Sequence, residues 1–172
     1  GSTPSYEEVQ VDILACGFDW ADGIYLENMD QASYVQTAGG NWSHNMEWVT
    51  ERAVGFISST PEAQPFFLYF NPTVPHSPDV QVALEEYSCR ATPNGGLLVE
   101  PQVAGMTAGT TCADYRSTVA TRNTIGNDNQ KDMNLGSIWS DDALGALMST
   151  LETKGSLDDT LIIVMMDHGM ET

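Results

Sequence analysis

Basic side chains are scarce. Six lysines and arginines face twenty-four aspartates and glutamates among 172 residues, a formal charge of −18 with the histidines neutral. Lys131 and Lys154 are the lysines. Such a surface repels phosphate backbones and anionic lipid, which argues against nucleic-acid and membrane-surface partners. Most of its carboxylates lack a cation to pair with, so they are solvated, as on a surface adapted to a salty medium, or bind metal or salt. Long apolar runs are missing as well. Leu161–Met166 is a strand's length, far below the ~20 residues of a spanning helix, so no membrane insertion is expected. No basic start leads into a hydrophobic stretch, so no signal peptide is seen. Cysteines number three, Cys16, Cys89 and Cys112, and an odd count excludes a full disulfide framework. Cys89 and Cys112 flank a loop rich in Gly, Pro and Thr, where one bridge and two separate buried thiols are equally open. A phosphate-binding glycine loop, a zinc-type Cys/His spacing and a nucleophile elbow are all missing from the pattern.

What is present supports one folded domain. A hydrophobic fraction of 41% suffices for a core and excludes disorder as the default state. Val9, Val11 and Ile13, followed by Leu14-Ala15-Cys16, read as a short strand or buried segment. Gly39-Gly40 breaks the chain, and Asn41-Trp42-Ser43 is a glycosylation sequon. Ser43 then reads as the N-cap of a helix whose Met46, Val49, Ala53, Phe56 and Ile57 share a face, up to Thr60-Pro61. Phe66–Phe70 reads as a strand buried on both faces, as in the centre of an α/β sheet. Val80–Tyr87 has room for a helical turn or two, Thr92–Cys112 reads as a surface excursion, and Ala113–Ile125 as a helix. Gly126–Asp132 reads as a polar loop. Ser140 is placed to cap a helix carrying Asp141 and Asp142 in its first turn, where carboxylates suit the dipole. Thr160–Met166 completes the pattern as a second buried strand. Helix, short turn, strand and polar exit make half of an α/β unit.

Polar residues follow both candidate strands. In Asn71–Pro78, three prolines restrict the backbone around His76 and would present its imidazole with little freedom. By local pattern alone, a proline-rich turn whose histidine merely caps a neighbour is the favoured reading. Asp167-His168-Gly169 lies where a strand ends, the edge at which α/β proteins place ligands. An Asp there can bind a hard divalent cation and the His can add a nitrogen. An ordinary solvent-facing strand exit is the plainer alternative.

Together these segments resemble the type I sulfatases of the alkaline phosphatase superfamily. The likeness rests on Gly17-Phe18-Asp19 with Gly23, on Pro65–Pro78 (PFFLYFNPTVPHSP), and on the run from Ile138 to Gly169 with SDDALGALMSTLE and LDDTLIIVMMDHG. It implies an α/β fold with a predominantly parallel or mixed sheet flanked by helices. Residues 1–172 would then be a single, partial catalytic domain with a loop insertion around 83–134. By the same resemblance, His76 contacts the substrate's sulfate group, Asp167 is a calcium ligand and His168 stands where relatives place a second ligand. The family's nucleophile is a formylglycine made from a Cys/Ser-x-Pro-Ser-x-Arg motif. Ser2-Thr3-Pro4-Ser5 imitates its start, but Glu7 stands where Arg is required. The nucleophile is therefore expected outside residues 1–172, and this stretch alone is expected to be inactive. The implied partner is a sulfate ester, with aryl sulfates and sulfated carbohydrates both open. The implied location is secreted, lysosomal or periplasmic. A phosphoester hydrolase of the same superfamily, or a non-catalytic binding or structural module, are the alternatives.

Overall fold

The computed structural model describes residues 4–26, 43–76, 80–126 and 128–165. Among the described residues, five helices run in order: α1 (Tyr6–Ala15), α2 (Met46–Ser59), α3 (Val80–Glu86), α4 (Cys112–Thr121) and α5 (Asp128–Lys154), followed by a 3₁₀ turn at Leu157–Asp159. Among the described residues there is no β-strand, which overturns the expected sheet-containing α/β fold. The reason is that a strand exists only as a member of a hydrogen-bonded ladder. Neither candidate segment forms a ladder among the described residues. Along 66–70 exposure alternates: Phe66, Leu68 and Phe70 pack inward while Phe67 and Tyr69 are exposed. Hydrophobicity without alternation suggested burial on both faces, and only one is covered. Leu161–Met165 is more open still, with Leu161 83% and Met165 79% exposed.

Local chemistry sets the helix boundaries. The Val9, Val11, Ile13 alternation suggested a strand, but Ser5 and Glu8 form a reciprocal capping box that starts α1 instead. The Ser5 hydroxyl accepts from the Glu8 N–H at 3.2 Å, and the Ser5 N–H donates to the Glu8 carboxylate at 2.7 Å. For α2 the cap is Asn45 rather than Ser43, because its side-chain oxygen accepts from the Trp48 N–H at 3.0 Å. The expected stripe is there: Met46, Val49, Ala53 and Ile57 are buried.

The largest correction concerns α5. Helix was expected from Ser140, yet it begins at Asp128 and runs through the residues read as a polar loop. Leu135, Trp139, Ala143 and Ala146 are all buried, so the apolar stripe extends upstream of Ser140 at helical spacing. α5 is the spine on which α2, α3 and α4 all pack. Asp142 consequently lies within the helix, where Arg122 and the Tyr115 hydroxyl pair with its carboxylate. The stretch 92–112 has no regular element but is not all surface. Val103 and Thr107 are fully buried, and the Thr107 hydroxyl donates to the Pro101 carbonyl at 2.6 Å. Cys89 and Cys112 form a disulfide that ties this stretch's end to the chain after α3, while Cys16 is a free, exposed thiol.

Among the described residues, three apolar clusters make the core. The largest joins Met46, Val74, Val103, Leu135 and Trp139, and Phe70 packs against all three. The segment ending at Phe70 thus enters the centre of the molecule and delivers the chain directly into the turn bearing His76.

Candidate functional site

The turn at 73–76 is held from several sides while its histidine faces outward. Val74 is 4% exposed and belongs to the central cluster, so the turn's own apolar residue anchors it. The Val74–Pro75 peptide is cis. Pro75 lies against α5 at Gly136 so closely that a β-carbon at 136 would sit 2.6 Å from the Pro75 Cβ and 2.8 Å from its Cα. No larger residue fits between helix and turn without movement. The His76 N–H donates to the Thr73 carbonyl at 3.1 Å and closes the turn. His76 itself is exposed.

The chain re-enters the described structure at Val80, and α5 anchors it there too. The Asp132 carboxylate accepts from the Val80 N–H at 2.9 Å and the Gln81 N–H at 2.8 Å, satisfying free donors at the start of α3. Asp132 and Gly136 are one helical turn apart and therefore share a face of α5. One face of one helix thus fixes the chain on both sides of 77–79. Neither residue stood out in the sequence. Asp132 lay in a presumed loop, and a glycine inside a helix signals close approach only once its neighbour is known.

Behind the turn, a buried ion pair locks the helices together. The Arg116 guanidinium on α4 donates to both carboxylate oxygens of Glu47 on α2, each at 2.9 Å. It also donates to the Ala83 carbonyl on α3 at 3.0 Å and lies 5.1 Å over the Trp139 ring of α5. Both side chains are buried, at 3% and 0% exposure. Burial pulls the Arg116 pKa down, but the facing Glu47 carboxylate outweighs it and holds the guanidinium charged. This pair is structural, because neither charge is available to a ligand.

Other polar groupings offer less. A hollow of about 370 Å³ between α4 and α5 is lined by Met106, Thr110, Asp114, Tyr115, Arg122 and Asp142. Its Arg122, Tyr115 and Asp142 already bond one another, and Asp114 bonds Thr111. His76 does not line it. Among the described residues, the grouping of three possible metal ligands is Cys89, Glu100 and Cys112. The two sulfurs are joined to each other, and one carboxylate cannot supply the six or more oxygens calcium takes. Asp167, His168 and Gly169, with Met166, lie outside the described residues, as do Ser77-Pro78, Gly39-Gly40 and Asn41-Trp42 of the sequon. Of the residues singled out in the sequence for the site, the structure places His76.

Against known proteins, no curated protein and no solved structure matches the chain. The family model described as Sulfatase matches residues 5–172, a span that includes the turn at 73–76, Asp132, Gly136 and Asp167-His168. A match over nearly the whole chain settles membership: the chain belongs to the sulfatase family.

Proposed function

We propose that the protein hydrolyses a sulfate ester, with His76 contacting the transferring sulfate group. The sulfatase family acts on such esters. The observation that carries the residue assignment is a family match that includes an exposed imidazole on a turn pinned by Val74 and Pro75. An imidazole N–H held in place can donate to a sulfate oxygen without being ordered again in each turnover, and that contact strengthens as charge accumulates on the oxygen.

Charge balance supports a metal in this reading. A sulfate ester is an anion approaching a chain of formal charge −18. Arg116 is buried on Glu47, Arg122 pairs with Asp142, and Arg52 faces Asp22 and Glu51. Three of the chain's six basic side chains are thus already committed to carboxylates. Calcium, held in part by Asp167 and His168, would supply positive charge and polarise the sulfur–oxygen bonds. The nucleophile in this reading is a formylglycine from outside residues 1–172. His76 then orients the sulfate, and the packing of Pro75 on Gly136 keeps the imidazole from retreating.

The experiment is Asp167→Ala in the full-length enzyme, assayed against a chromogenic aryl sulfate across a calcium titration. Activity that is lost and no longer responds to calcium is the expected result. Unchanged calcium-dependent turnover would remove Asp167 from the site.

A further inference from the structure

His44 is a buried titratable side chain that the reaction does not use directly. It is 1% exposed, just before the Asn45 cap of α2, and its Nδ1 lies 2.7 Å from the Thr73 hydroxyl oxygen. Thr73 is the residue whose carbonyl receives the His76 N–H. Beside His44 in the chain, the Ser43 carbonyl accepts from the Tyr25 hydroxyl at 2.9 Å.

Thr73 is thus engaged at two points: its hydroxyl meets the His44 ring, and its carbonyl accepts the His76 N–H that closes the turn.

We infer that His44 and Thr73 are positioning residues for the sulfatase reaction, fixing the turn at residue 73 so that the His76 imidazole is presented in one orientation. This inference rests on the His76 reading proposed above. Val74 and Pro75 fix the middle of the turn through packing, which resists compression but allows sliding. Directed hydrogen bonds at residue 73 remove that freedom, because they specify an orientation as well as a distance.

The test is a set of variants in the full-length enzyme: Thr73→Val, Thr73→Ser, His44→Asn, His76→Ala and the double variant Thr73→Val/His76→Ala. Thr73→Val keeps the shape but removes the hydroxyl's bond to His44, and kcat/KM for an aryl sulfate should fall about tenfold. Thr73→Ser keeps the hydroxyl and should restore most of the loss. His44→Asn places an amide near the Nδ1 position and should lose less than Thr73→Val. In the His76→Ala background, Thr73→Val should cost nothing further, because nothing is left to position. A Thr73→Val enzyme as active as wild type, beside an impaired His76→Ala, would overturn the inference and leave the His76 reading standing. The same tenfold loss in both backgrounds would also overturn it, as damage unrelated to His76. An unimpaired His76→Ala would instead refute the His76 reading, and this inference with it. Should Thr73→Val fail to fold, Thr73→Ala removes the same hydroxyl and is read by the same rules.

Discussion

Replacing Gly136 with alanine sets two opposed effects of similar size against each other. Within a helix, alanine is favoured over glycine by about 1 kcal/mol, since glycine loses more backbone freedom on folding. At 136, however, the new methyl would fall 2.6 Å from the Pro75 Cβ and 2.8 Å from the Pro75 Cα. Backbone and a proline ring cannot swing aside as the end of a flexible side chain can. Overpacking of this kind costs about 1–3 kcal/mol, so Gly136→Ala should come out neutral to destabilised by about 2 kcal/mol. Gly145 supplies the internal control. It lies exposed on the same helix with nothing within 4 Å of its ideal Cβ, so Gly145→Ala should be stabilised by about 1 kcal/mol. The gap between the two variants, about 1–3 kcal/mol, isolates the steric contact. Urea unfolding followed by circular dichroism measures both midpoints, and kcat/KM in the full-length enzyme reports whether the displaced turn has moved His76. Equal stabilisation of both variants would show that Pro75 does not rest on Gly136, and the account of how the turn is held would fail.

Removing half of the buried ion pair should be severe: Glu47→Gln leaves the Arg116 charge uncompensated and should destabilise by about 3–5 kcal/mol, read from the unfolding midpoint. Burial, with the neighbouring Asp22 and Asp142 carboxylates, raises the phenol pKa of Tyr6 and Tyr115, and burial raises that of Tyr25. A raised folded-state pKa means stability is fully present below the ordinary phenol range near 10 and is lost as pH climbs above it. Stability should accordingly fall above about pH 10, by up to ~1.4 kcal/mol per pH unit for each such group, with tyrosinate absorbance appearing together with unfolding. Thiol titration of the native chain should find Cys16 alone, and all three cysteines after reduction and denaturation.

The parts of the fold written in local chemistry were legible. Apolar spacing located α2, and α3 falls within the stretch that had room for a helical turn or two. His76 was singled out by family likeness, since the proline-rich stretch around it reads by itself as a plain turn. What was hidden depended on partners far along the chain. The alternation at Val9–Ile13 looked strand-like because the capping box at Ser5 and Glu8 outweighs three apolar positions. The first half of α5 was obscured by polar residues, although Leu135 and Trp139 are fully buried. Asp132 and Gly136 could not be recognised from spacing, since each has meaning only against residues 51 to 61 positions away. The two apolar runs read as strands share the chain's clearest hydrophobic signal, yet a ladder depends on a neighbour and not on the run itself.

The most direct measurement compares a chromogenic aryl sulfate with the matching phosphate ester, using the full-length enzyme as wild type and as His76→Ala. The account predicts sulfate turnover that falls by about 10²-fold or more in His76→Ala, with the circular dichroism spectrum unchanged. Faster turnover of the phosphate ester, no sulfate turnover by a correctly folded protein, or a His76→Ala enzyme as fast as wild type would contradict it.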